Sequence, residues 1–127
     1  GDPGAEGVDV IRSSTPLRVM LASRPVDFRK GAEGLAALVR ESMAADPFDG
    51  ALYVFRARRA DRVKLVWWDG TGVCLFAKRL ESGAFRWPAI EDGVVKLTNA
   101  QLQALLEGLD WRRVHQMRAT SAPIVAG

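Results

Sequence analysis

The pattern of apolar and polar positions changes period along the chain. The alternating run LRVMLAS, from Leu17, predicts a first short strand ended by Arg24 and Pro25. Leu35, Leu38, Val39 and Met43 then recur at spacings of three and four, which places them on one face of a helix. Asp27 is positioned to cap that helix and the DPFDG turn to close it. Gly31 and Gly34 oppose it, each by about 1 kcal/mol relative to alanine, which close packing on a sheet offsets. From Ala51 the period drops to two, and ALYVFRA, VKLVWW and VCLFAKR form three strand-like runs rich in Val, Phe, Tyr and Trp. They predict a meander, with RARRADR as a long, twisted basic connection and DGTG as a short turn. FRW, after the ESG turn, is expected as a further short strand, and VVKL leads into a last helix. There Thr98 and Gln101 have the spacing of a capping box, and Leu97 pairs with Leu102 as a hydrophobic staple. Leu102, Leu105, Leu106 and Leu109 line one face of that helix.

Strands grouped between terminal helices predict an α+β fold. The expected form is a mainly antiparallel sheet of about four to six strands, packed with about two helices in a single domain. That domain is expected over residues 17–114. The aperiodic, Gly-, Pro- and Ser-rich residues 1–16 are read as a flexible N-terminal arm and residues 115–127 as a flexible C-terminal tail.

Composition narrows the function classes. Hydrophobic residues at 48% and charged residues at 26% are ordinary globular values, and no apolar run approaches the ~20 residues of a membrane-spanning helix. The start lacks the basic and apolar regions of a secretory signal, and one cysteine, Cys74, rules out an internal disulfide. A cytoplasmic protein is expected. With His115 as its one histidine, the chain does not assemble a four-ligand zinc site of the usual kind, although its 15 acidic residues leave carboxylate-held magnesium open. Cys74, within a strand, reads as a small buried apolar group. Most of the aspartates sit at caps and turns, where backbone reasons suffice, and no phosphate-binding loop, dinucleotide fingerprint or nucleophile elbow is present. No catalytic residue, metal ligand or cofactor is assigned.

Charge is where the sequence departs from the ordinary. The net charge of +3 is modest, but Arg56, Arg58, Arg59, Arg62 and Lys64 crowd one segment offset only by Asp61. A guanidinium fork suits phosphate, and Arg24, Arg29 and Lys30 near the first helix add to the positive field, whereas Asp27 subtracts from it. Strand alternation sends Trp67 to the side of Val63 and Leu65, and Trp68 to the side of Lys64 and Val66. Trp68 therefore either packs beneath a helix or serves as an aromatic platform for bases. Trp111 likewise either packs on the domain or anchors a partner.

Three segments taken in order carry a resemblance: PVDFRKGAEGLAALV, DPFDGALYVFRARRADRVKLVWWDGTGVCLFAKRLESGAFRWP and VVKLTNAQLQALLEGLDWRR. The chain resembles the small accessory proteins encoded by the second reading frame of bacterial insertion sequences of family 66, a TnpB type distinct from the RNA-guided nuclease of that label. Phe28 stands where that family typically has Met. The resemblance implies a role in DNA transposition beside a larger transposase that supplies the chemistry. By position it carries over the basic hairpin Arg56 to Lys64, the helix entry Arg29 and Lys30, and the WDG turn. The expected partners are the transposase of the same element and DNA, with no membrane. A second copy of the chain is a further partner that this reading admits. The alternative is a protein-interaction module that docks on the transposase or on itself without binding DNA.

Overall fold

The computed structural model describes residues 18–89 and 93–114; the expected N-terminal arm and C-terminal tail lie outside the described residues. Among the described residues five strands form one sheet: β1 (Val19–Pro25), β2 (Leu52–Arg56), β3 (Arg62–Trp68), β4 (Val73–Arg79) and β5 (Val94–Leu97), in the order β4-β3-β2-β1-β5. Helix α1 (Ala32–Ser42) joins β1 to β2, and α2 (Asn99–Leu106) follows β5, with a single 3₁₀ turn at Trp111–Arg113. The fold is α+β with a mostly antiparallel sheet, as the sequence pattern predicts. No described helix is long and apolar enough to cross a membrane.

One strand pair is parallel. β1 lies alongside β2 with Val19 opposite Leu52, and α1 supplies the crossover that a parallel pair requires. β2, β3 and β4 form the predicted meander, and β5 pairs antiparallel with the far side of β1.

The central strands are buried on both faces. In β2, Leu52 and Val54 face one layer and Tyr53 and Phe55 the other. The first layer is closed by Leu102 and Leu105 of α2, by Trp111 and by Phe85. The second is closed by Leu35 and Val39 of α1, with Leu38 and Met43 packed at its margin. Trp111 is buried and its Nε1 donates to the Arg86 carbonyl at 2.6 Å, so it anchors its own domain. The capping box is present: Thr98 Oγ1 accepts from Gln101 N at 3.0 Å, and Gln101 Oε1 from Thr98 N at 2.9 Å. Lys78 closes the other end of α2, its Nζ donating to the Leu106 carbonyl at 2.7 Å.

Four local expectations are corrected. Leu109 lies beyond the end of α2 and is exposed, and Cys74 is only partly buried, its Sγ donating to Asp69 Oδ2 at 3.4 Å. Gly31, not Asp27, is the N-cap of α1, with no side-chain cap bond. The Asp27 carboxylate accepts from Arg29 N at 2.9 Å and holds a turn of its own, and Gly31 is extended, so the helix begins only afterwards. Phe85–Trp87 is not a strand. Phe85 N donates to the Ala60 carbonyl at 3.0 Å and Trp87 Nε1 to the same oxygen at 3.1 Å, which is docking on a turn rather than a ladder.

Candidate nucleic-acid interface

The parallel pairing decides where the arginines meet. Adjacent parallel strands end at the same edge of a sheet, so the loop after β1 and the loop after β2 emerge side by side. Val26 N donates to the Arg56 carbonyl at 2.9 Å, which fastens them together. The result is a cleft of about 800 Å³ lined by Pro25, Val26, Phe28 and Ala57 together with Arg29, Arg58, Arg59 and Arg62, with Asp27 among them. Behind it, the two bonds to the Ala60 carbonyl and one from Leu80 N to Asp61 O, at 3.0 Å, hold the basic turn in place.

The four guanidinium groups are neutralised to different degrees. Arg58 is exposed and has no ion pair or hydrogen bond among the described residues. Arg59 Nε and Arg62 Nε lie 3.9 and 3.7 Å from Asp61 Oδ1, beyond hydrogen-bonding distance, and both that oxygen and Arg62 Nε are buried without a hydrogen-bond partner. Arg29 is engaged more firmly, its Nη2 2.8 Å from Asp27 Oδ2 with Nε alongside. Hydrogen bonds from the Arg29 side chain and then its backbone N–H hold the Asp27 carboxyl down at about 2, and the same pairing raises Arg29. Arg29 is 91% exposed, so the pair is open to water and to competing anions.

Four of the sequence candidates lie apart from this cluster. Arg56 faces the α2 layer, where its guanidinium lies 5.3 Å from the Trp87 ring centre and burial lowers its pKa. Lys64 Nζ donates to the carbonyls of Phe28 at 2.7 Å and Lys30 at 3.0 Å, which leaves one of its three N–H groups for other partners. Trp68 stands at the far end of β3, six residues from Arg62 and therefore roughly 20 Å away. It packs edge-to-face on Phe48 at 5.1 Å, and Arg40 caps the outer side of Phe48 at 5.2 Å. Lys30 lines a neighbouring groove with Leu38, Met43 and Phe55, which meets the basic cleft at Pro25, Val26 and Asp27.

Arg79 escapes the sequence pattern although a signal for it exists. The Asp69 carboxylate accepts from Thr71 N and Gly72 N, both at 2.9 Å, and this locks a turn that sets Trp68 opposite Val73 and hence Arg62 opposite Arg79. Among the described residues, no group of three or more His, Cys, Asp or Glu side chains is arranged to hold a metal ion.

The profile of a family described as IS66 Orf2 like protein matches residues 17–116. Two proteins of Sinorhizobium fredii are similar along most of their length. The uncharacterized protein y4jC is 47% identical over 105 residues, which span 83% of this chain and 90% of the relative. The uncharacterized protein y4hO is 44% identical over 103 residues, 81% of this chain and 90% of the relative. No solved structure matches the chain.

Proposed function

The chain belongs to the IS66 Orf2-like family, and from that membership we propose that it is a non-catalytic accessory protein of insertion-sequence transposition that grips DNA phosphates in its basic cleft. The observation that carries this reading is the convergence of Arg29 with Arg58, Arg59 and Arg62 on one concave surface, from loops about thirty positions apart in the chain. Gathering like charges in this way is unfavourable without an anionic partner, and Asp27 and Asp61 offset only part of it. Phosphate contacts fix position rather than read bases, so the domain is assigned a positioning role beside the transposase, with little sequence preference of its own.

Four phosphate contacts give a slope of log affinity against log salt of about −3 to −4 on duplex DNA. Fluorescence anisotropy of the full chain on element-end and random duplexes, across a salt series, measures it. The reading expects this slope on both duplexes and its collapse in the R58Q/R59Q/R62Q variant. Binding indifferent to salt, or unchanged in that variant, overturns it. Retention of the transposase from nuclease-treated extract without any DNA binding would replace phosphate by acidic side chains as the partner of the arginines.

A further inference from the structure

We propose that the cleft is one half of a longer track for single-stranded DNA, with a base stacked on Phe28 and Arg79 holding a phosphate beyond it. The proposal rests on the phosphate-binding reading above and names the form of nucleic acid. A second cleft, of about 440 Å³, lies over β3 and β4, and Phe28 and Arg62 line both clefts, so the two are continuous across that pair. The second cleft has Lys64, Ala77 and Arg79 on its walls and no carboxylate. Arg62 and Arg79 are directly opposed across the antiparallel β3–β4 pair, where like charges repel, and Arg79 is exposed with no partner among the described residues. An anion bridging the two guanidinium groups removes that repulsion.

Phe28 lines both clefts, half-buried at the margin of the α1-side core, with Lys64 Nζ 5.0 Å from its ring centre. An aromatic ring in a cleft lined by cationic side chains is the arrangement that binds strands whose bases are free to stack. A paired base in a duplex has its faces covered by its neighbours and does not reach such a ring. A single strand can lay phosphate, base and phosphate over Arg58 and Arg59, Phe28, and then Arg62 and Arg79 in turn. Trp68, at the other end of β3, is outside this track.

The test is anisotropy of the full chain on a labelled oligothymidine and on a duplex of random sequence at matched salt. The single strand is expected to bind about tenfold tighter or more. Phe28→Leu is expected to weaken single-strand binding by about tenfold with an unchanged salt slope, Phe28→Trp to hold it at the wild-type level, and Arg79→Gln to reduce the slope by about 0.7. Melting temperatures of the variants separate loss of fold from loss of binding. Equal affinity for the two DNAs with an unaffected Phe28→Leu variant overturns the track while leaving the phosphate reading in place. Equal losses in the Leu and Trp variants assign Phe28 to packing and overturn it too. Absence of salt-dependent binding to either DNA removes both readings.

Discussion

Lys64 and Arg58 lie six positions apart in one basic run, yet their surroundings assign them opposite roles. Lys64 spends two N–H groups on carbonyls of the β1–α1 loop, whereas Arg58 has no partner among the described residues. Lys64→Met is therefore expected to lower stability by about 1–3 kcal/mol, the worth of a charged hydrogen bond and its orphaned acceptors. Arg58→Gln is expected to leave stability within about 0.5 kcal/mol and to take roughly 0.9 from the duplex salt slope. Urea unfolding and the salt series check the two together, and a stability loss at Arg58 would refute the contrast. Asp69 gives a pH prediction with a defined sign. Hydrogen bonds from Thr71 N and Gly72 N, with that of Cys74 Sγ, hold its carboxyl down at about 2, below the ordinary aspartate value of about 3.9. Its contribution is complete above about pH 4 and is lost as pH falls through about 2. Unfolding measured across that window should show a flatter pH dependence in Asp69→Asn than in the wild type.

At the scale of elements, most of the fold is legible because the meander and α2 are specified by local rules. The period-two runs place β2, β3 and β4, the DGTG turn fixes the register of the last pair, and the capping box starts α2 at Asn99. Thr98→Ala removes the acceptor of that box and is expected to cost about 1 kcal/mol in denaturant midpoint analysis; a neutral result would mean that packing of Leu102 and Leu105 alone sets the helix start. What local rules do not carry is the partner of β1. LRVMLAS reads identically whether it joins the sheet parallel or antiparallel, because alternation reports which face a side chain takes and not the direction of its neighbour. The candidate site inherits that ambiguity. Arg58, Arg59 and Arg62 are adjacent in sequence and visible as a cluster, but their meeting with Arg29 depends on the β1–β2 pairing. The separation of Arg56 from the others was encoded in strand alternation, since it takes the same face as Val54. That of Lys64 was not, because its partners are carbonyls thirty-four and thirty-six positions away.

For the whole molecule, the decisive feature is one sheet shared by two cores. β2 contributes alternate residues to both layers, and β3 does the same through Val63 and Leu65 on one side and Val66 on the other. Losing either helix layer exposes a face of strands that the remaining layer needs, so the domain is expected to unfold as one cooperative unit. Leu35 of α1 and Leu105 of α2 are both fully buried, on opposite faces. Leu35→Ala and Leu105→Ala should each cost about 2–5 kcal/mol. The tryptophans report on this unevenly: Trp67, Trp87 and Trp111 belong to the α2 layer and Trp68 lies on the α1 side against Phe48. If the sheet couples the layers, Leu35→Ala shifts the tryptophan-fluorescence transition by as much as the far-ultraviolet ellipticity transition, although three of the four rings are on the other face. A loss of ellipticity that precedes the fluorescence change would show α1 detaching alone. The basic cleft, whose Arg29 lies in the loop leading into α1, would then be a structure that opens separately from the rest of the domain.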